Sequence, residues 1–295
     1  MANVSLPSRL PKGRTRRVAP LLVGALLIAA APAAATPAAA PATAVDLTYK
    51  VYGGGLLILS LDTKAELGGG RYEIASNVVT EGLVERLFPG RLTSQAHGTL
   101  TGAGPQMQRY MQAYKGRFGD RSIDMTLAAD GTYDVAAEPE MLPEQSPIDP
   151  KAMAGAVDPL TASIYAALTG TKAPCASRVP VFDGRRVYEL DFSMRATDRL
   201  EPRAAGEFAG EAWRCEVAYK PKSGFTREWH IRRAKDPLRP ATVWLARFDG
   251  GNGADDGPSL LLPVRVQVES AYFNAVAHLT RASIDGRELI VSREE

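Results

Sequence analysis

Between Tyr188 and Met194 the chain alternates without a break. Tyr188, Leu190, Phe192 and Met194 are apolar, while Glu189, Asp191 and Ser193 are polar. The same period of two recurs in AWRCEVAY, where Trp213, Cys215, Val217 and Tyr219 alternate with Arg214, Glu216 and Ala218. It recurs again in PVRVQVES, with Val264, Val266 and Val268 against Arg265, Gln267 and Glu269. Successive side chains of a strand point to opposite faces, so these blocks are expected to be strands with one dry and one wet face. Further strands are expected over 46–52, 57–67, 71–79, 122–127, 226–232, 242–248, 275–283 and 287–293. Asp130-Gly131, Asp183-Gly184 and Asp285-Gly286 stand between such blocks. Asp-Gly marks a hairpin, because both central residues of a type I′ turn need positive φ. Hairpins join antiparallel neighbours. FDGRR at 182–186 is therefore a hairpin tip, although Arg185 and Arg186 also suit a phosphate or carboxylate partner.

The first 44 residues do not share this pattern. Arg9, Lys12, Arg14, Arg16 and Arg17 precede the uncharged run VAPLLVGALLIAAA, and an Ala/Pro/Thr tract ends in Ala42–Ala44. A basic start, a short apolar middle and an Ala-x-Ala end describe a secretory signal peptide. The apolar run falls short of the roughly 20 residues that a spanning helix needs. Cleavage is expected after Ala44, with Ala35 as second choice, and an uncleaved anchor is the alternative. The export route stays open, since TRRVAPL only partly fits a twin-arginine signal. Loss of the leader removes five positive charges and no acids, which takes the formal charge from +2 to −3. A weakly acidic body without a Lys/Arg block offers nothing to nucleic acid. No transmembrane segment is expected in the mature chain.

Cys175 and Cys215 both lie in the exported part. An even pair in an oxidising compartment is expected to form a disulfide, and the absence of Cys-x-x-Cys speaks against a redox couple. One helix stands out in DPLTASIYAALTG. Asp158 is its cap, Pro159 fits its first turn, Gly170 stops it, and Leu160, Ile164 and Leu168 form its apolar stripe. A shorter helical turn is expected within 81–88. The Pro-rich stretch 138–158 is an irregular connection. Residues 45–295 are taken as a single domain, which a chain of this length permits.

Several apparent sites do not hold. GGNGAD at 250–255 resembles one calcium-binding nonapeptide, a device that works as stacked repeats. The glycine runs at 53–55 and 68–70 lack the G-x-G-x-x-G form and a following helix. His97, His230 and His278 lack metal-ligand spacing and are expected to be partly buried imidazoles. No G-x-S-x-G, Ser-x-x-Lys or His-Glu-x-x-His occurs. Trp213, Trp229 and Trp244 are expected in strands as core or wall residues, with a sugar or lipid platform as the alternative. No catalytic residue, metal or cofactor is assigned.

The run DPLTASIYAALTG…C…VFDGRRVYEL, then CEVAYKPKSGF and LPVRVQVES, resembles the exported bacterial family called domain of unknown function 3108. The resemblance spans most of 45–295 and implies a periplasmic, β-rich protein of a Gram-negative cell envelope without a set activity. At fold level the pattern is similar to envelope β-spiral or open-barrel proteins, lipoprotein carriers among them. The expected fold is mainly β: a strongly curved antiparallel sheet, an open or incomplete barrel, with the 158–169 helix packed on it. Flat sheets beyond about ten strands are rare. The expected function is non-enzymatic binding or scaffolding, with an apolar ligand, lipid or envelope partner held in the concave face. Tyr188, Leu190, Phe192, Trp213, Val264 and Val266 are the expected lining, and the 138–158 stretch a mobile rim. The alternative is a hydrolase or transferase acting on envelope material. The oligomeric state stays open.

Overall fold

The computed structural model describes residues 42–117, 119–140, 145–169, 173–202, 207–249, 259–269 and 274–290. Outside them lie residues 1–41 of the expected leader, Gly170, the GGNGAD run and residues 291–293 of the last expected strand. The strands are β1 (Thr43–Gly53), β2 (Leu56–Gly68), β3 (Arg71–Thr80), β4 (Gly90–Thr101), β5 (Gly104–Gly116), β6 (Arg121–Leu127) and β7 (Tyr133–Glu138). After the long connection come β8 (Arg178–Phe182), β9 (Val187–Leu200), β10 (Gly210–Ser223), β11 (Ala241–Asp249), β12 (Ser259–Glu269), β13 (Asn274–Ile284) and β14 (Arg287–Ile290). They make one sheet of 14 strands in the order β7-β6-β5-β4-β3-β2-β1-β13-β12-β11-β10-β9-β8, with β14 paired to β13. The strand pairings are antiparallel. β7 and β8 end the path, so the sheet is not closed into a barrel. The expected fold class is what forms.

The glycine runs turn out to be hairpin tips. Gly54-Gly55 and Gly69-Gly70 all have positive φ and join β1 to β2 and β2 to β3. Two-residue loops of this kind match the twist of the flanking strands. Of the three Asp-Gly tips, only Asp285-Gly286 has positive φ at both residues. At the other two only the glycine does, because the turns are longer and the aspartate acts through its side chain. Asp130 Oδ1 accepts the Thr132 N–H at 2.9 Å, and Asp183 Oδ1 accepts the N–H groups of Arg185 and Arg186. Asp and Asn do this because their short side chains reach the backbone two residues on.

One expected strand is a helix. Residues 226–232 lead into α3 (Arg227–Lys235), and Trp229 therefore leaves the sheet. Thr226 caps it, its Oγ1 accepting the Trp229 N–H at 3.1 Å. Glu228 sits in the first turn and Arg232, Arg233 and Lys235 in the last, as the helix dipole favours. The short helical turn forms as α1 (Gly82–Leu87). Of the three histidines only His278 is buried; His97 and His230 are exposed.

The capped helix is α2 (Pro159–Thr169). It touches β3, β4 and β5 on one side and β8 and β12 on the other, strands far apart in the sheet order. The sheet thus wraps around α2. Leu160, Ile164 and Leu168 join Tyr72, Met107, Tyr110 and Leu260 in the main core. Cys175 and Cys215 are bonded, with Cα atoms 5.4 Å apart. The bridge ties the loop after α2 to β10 and is buried beside Leu245, Leu261 and Trp213.

Candidate functional site

The two ends of the sheet meet through side chains rather than a hydrogen-bonded ladder. Tyr133, the first residue of β7, sets its ring edge-on to Phe182 of β8, 5.2 Å between centroids. Its hydroxyl donates to the Ala156 carbonyl. The 183–186 tip lies against β6 and β7: a Cβ on Gly184 would sit 2.6 Å from Ile123 Cγ2. Arg185 donates to the Pro139 carbonyl from the same tip. This contact forms a seam, and a cleft opens at each end of it.

The first cleft encloses about 840 Å³. Met107, Leu127 and Tyr133 form one wall, and Met153, Tyr165 and Val179 belong to the other. These come from β5, β6 and β7 against β8, α2 and the connection that precedes it. That connection is fastened where it is described. Ser146 donates its N–H to the Phe225 carbonyl, Asp149 donates its N–H to Ser223 Oγ, and Val157 pairs with Val181 along the free edge of β8. A covered edge is protected from foreign strands. The expected mobile rim is in these parts a held wall, because its backbone groups find partners.

Behind this wall lies a buried polar chain. Asp158, fully enclosed, accepts the N–H groups of Leu160 and Thr161 at Oδ1 and the Thr161 hydroxyl at Oδ2. The Tyr72 hydroxyl lies 2.5 Å from Thr161 Oγ1. Burial raises the Asp158 carboxyl to about 6, against the pull of these donors. Burial also raises the Tyr72 and Tyr110 hydroxyls. The capping signal was legible in the sequence; the tyrosine partner was not, since β3 lies far from it in the chain.

A second polar group went unseen in the sequence. Glu207 lies 3.4 Å from His278 Nδ1 and 3.8 Å from Arg265 Nη2, all three largely buried. Arg265 stacks over Trp244, whose Nε1 donates to Asp198 at 2.8 Å. Such an acid–imidazole pair is the raw material of general acid–base chemistry. Here it fastens residue 207 to β12 and β13 across a largely buried interface. Among the described residues no three His, Cys, Asp or Glu side chains gather to hold a metal ion. No helix among them is long and apolar enough to cross a membrane, which does not bear on strands.

A family model described as "Protein of unknown function (DUF3108)" matches residues 48–280. The chain belongs to that family. No curated protein matches it. Among solved structures, the β-barrel-like DUF1849 protein of Brucella abortus is similar at 12% identity and TM-score 0.49, covering 84% of this chain and 99% of that one. A candidate lipoprotein of Parabacteroides distasonis is similar at 11% identity and TM-score 0.27, covering 82% and 95%.

In this DUF3108 chain the six expected lining residues are mostly packed by the protein itself. Tyr188, Leu190 and Phe192 lie against Val179, Val181 and Ala162, and Tyr188 stacks on Tyr219 with centroids 4.5 Å apart. Trp213 is half-buried at the disulfide under Arg247. Val264 is in the main core, and Val266 is half-buried between Val243 and Ala277. None of the six lines the seam cleft. Met107 and Tyr165 do; they sit on a strand the alternation missed and on a helix.

Proposed function

We propose that this DUF3108 protein is an exported envelope protein that binds rather than catalyses, and that its ligand is an apolar chain or lipid held in the seam cleft. The observation that carries this reading is the cleft of about 840 Å³ where the sheet stays open, its walls mostly apolar (Leu127, Tyr133, Met153, Tyr165 and Val179) with Asp130 and Arg178 beside them. Concave, mostly apolar spaces of this size are the usual ligand sites of proteins, and methionine walls adapt to ligands of varied shape. The tripartite leader and the buried disulfide support export to an oxidising compartment, for which the periplasm is our assignment.

The test is binding of an apolar fluorescent probe such as N-phenylnaphthylamine to the purified protein, with displacement by an envelope lipid extract. Met153→Glu places a charge in the half-buried wall and is expected to abolish binding while the far-ultraviolet spectrum is unchanged. Saturable binding that Met153→Glu leaves intact rejects the cleft. Turnover of an envelope substrate by the purified protein would establish the hydrolase or transferase alternative.

A further inference from the structure

The other end of the seam has a different chemistry. Arg121 opens β6, and Arg185 and Arg186 follow the 183–184 tip, so the meeting of the sheet ends brings all three to one cleft of about 680 Å³. Gln112, Tyr114 and Gln145 line it with them. Among the described residues none of the three arginines has a carboxylate within ion-pair distance. The nearby acids are Asp183 and Glu138. Asp183, which itself lines the cleft, spends Oδ1 on the two turn N–H groups, and Glu138 is not among the lining residues. Burial and the Arg121 charge both weaken the hold of Arg185 on its proton. Among the described lining residues, three guanidiniums thus stand against one carboxylate, Asp183. The cleft also holds a buried acceptor: Gln145 donates through Nε2 to the Gly224 carbonyl at 3.3 Å, while its Oε1 is enclosed and finds no donor among the described residues.

We propose that this cleft binds a singly protonated phosphate group, either free or as the head of an ester such as a lipid. Arginine forks match phosphate oxygens, and an enclosed cleft strengthens each charge-assisted bond. The P–O–H of the anion supplies the donor that Gln145 Oε1 lacks. This inference does not depend on the apolar cleft, which has other walls.

The experiment is calorimetric titration of the full chain near pH 6 at low salt with inorganic phosphate, sulfate and a short-chain phosphatidic acid. Phosphate is expected to bind saturably and more tightly than sulfate, which carries no proton there. Arg121→Gln and Arg185→Gln are each expected to weaken it about tenfold or more, the range of one charge-assisted bond. Equal affinity for phosphate and phosphatidic acid identifies a free anion as sufficient; binding of phosphatidic acid alone identifies a lipid head group. On the unaltered protein, phosphate is expected to shield Arg121 and Arg185 from phenylglyoxal, which serves if a variant fails to fold. Absence of saturable binding to both phosphate probes, sulfate bound as tightly as phosphate, or affinity and labelling indifferent to the arginines would overturn the proposal.

Discussion

Asp158 stabilises α2 and costs stability through the same two oxygens. As a cap it accepts two backbone N–H groups, yet it is fully enclosed, and burial lifts its carboxyl from 3.8 to about 6. A raised folded value means that the folded state holds the extra proton between about pH 4 and 6. Stability from this group is therefore greatest below that window and declines as pH rises through it, by about 3 kcal/mol at most. Asparagine caps as well as aspartate and carries no charge. Urea denaturation at pH 5 and 7.5 is expected to show Asp158→Asn gaining on the native chain at the higher pH; equal differences at both pH values would contradict this. A contrast in glycines belongs to the same scale. Gly131 and Gly184 both have φ near +85°, but a Cβ meets nothing within 4 Å at Gly131 and meets Ile123 at 2.6 Å at Gly184. Gly184→Ala is expected to cost about 1–3 kcal/mol more than Gly131→Ala, the usual penalty for overpacking. Equal melting points would show that the seam is loose.

The elements that depend on local signals were legible, and those that depend on partners were not. Alternation located β9, β10 and β12, and the cap, Pro159 and the apolar stripe located α2. β4 and β5 were missed because their buried face is built from Ser94, Ala96 and Gly98 beside Met107 and Tyr110, so one strand of the pair has little apolar contrast. α3 was read as a strand because Trp229 and Ile231 alternate with polar neighbours, although Thr226 as a cap and Glu228 in the first turn mark a helix start. The apolar seam cleft was not legible at all. Its walls come from 104–107, 127–133, 150–157, 165 and 178–180, which only the curl of the sheet brings together. The cysteine pair was legible from compartment logic, and its pairing locks the loop after α2 onto β10. Cys215→Ser is expected to lower stability by about 4 kcal/mol on the loop-entropy model. Guanidinium denaturation of the variant checks it; a loss below about 1 kcal/mol would mean that buried packing, not the covalent link, holds this corner.

At the scale of the molecule, a sheet of 14 strands has curled far enough for its ends to touch without joining, and it keeps a helix inside. The start of the sheet bears on the expected cleavage point. Thr43 and Ala44 pair with Leu67 and Glu66, and the Ala44 N–H donates to Asp285 at 2.8 Å. A cut after Ala44 would remove two rungs of β1, which favours the second choice, Ala35. N-terminal sequencing of the protein purified from its native cells is expected to read from Thr36, and a start at Val45 would contradict it. The central claim is that the unclosed seam is the working surface. Photolabelling with a diazirine fatty acid, followed by peptide mapping, tests it most directly. Label is expected on Met153 and Tyr165 and is expected to vanish when envelope lipid competes. Label that instead follows the exposed apolar residues Leu56, Leu83, Leu87 and Phe88, and resists competition, would contradict the account.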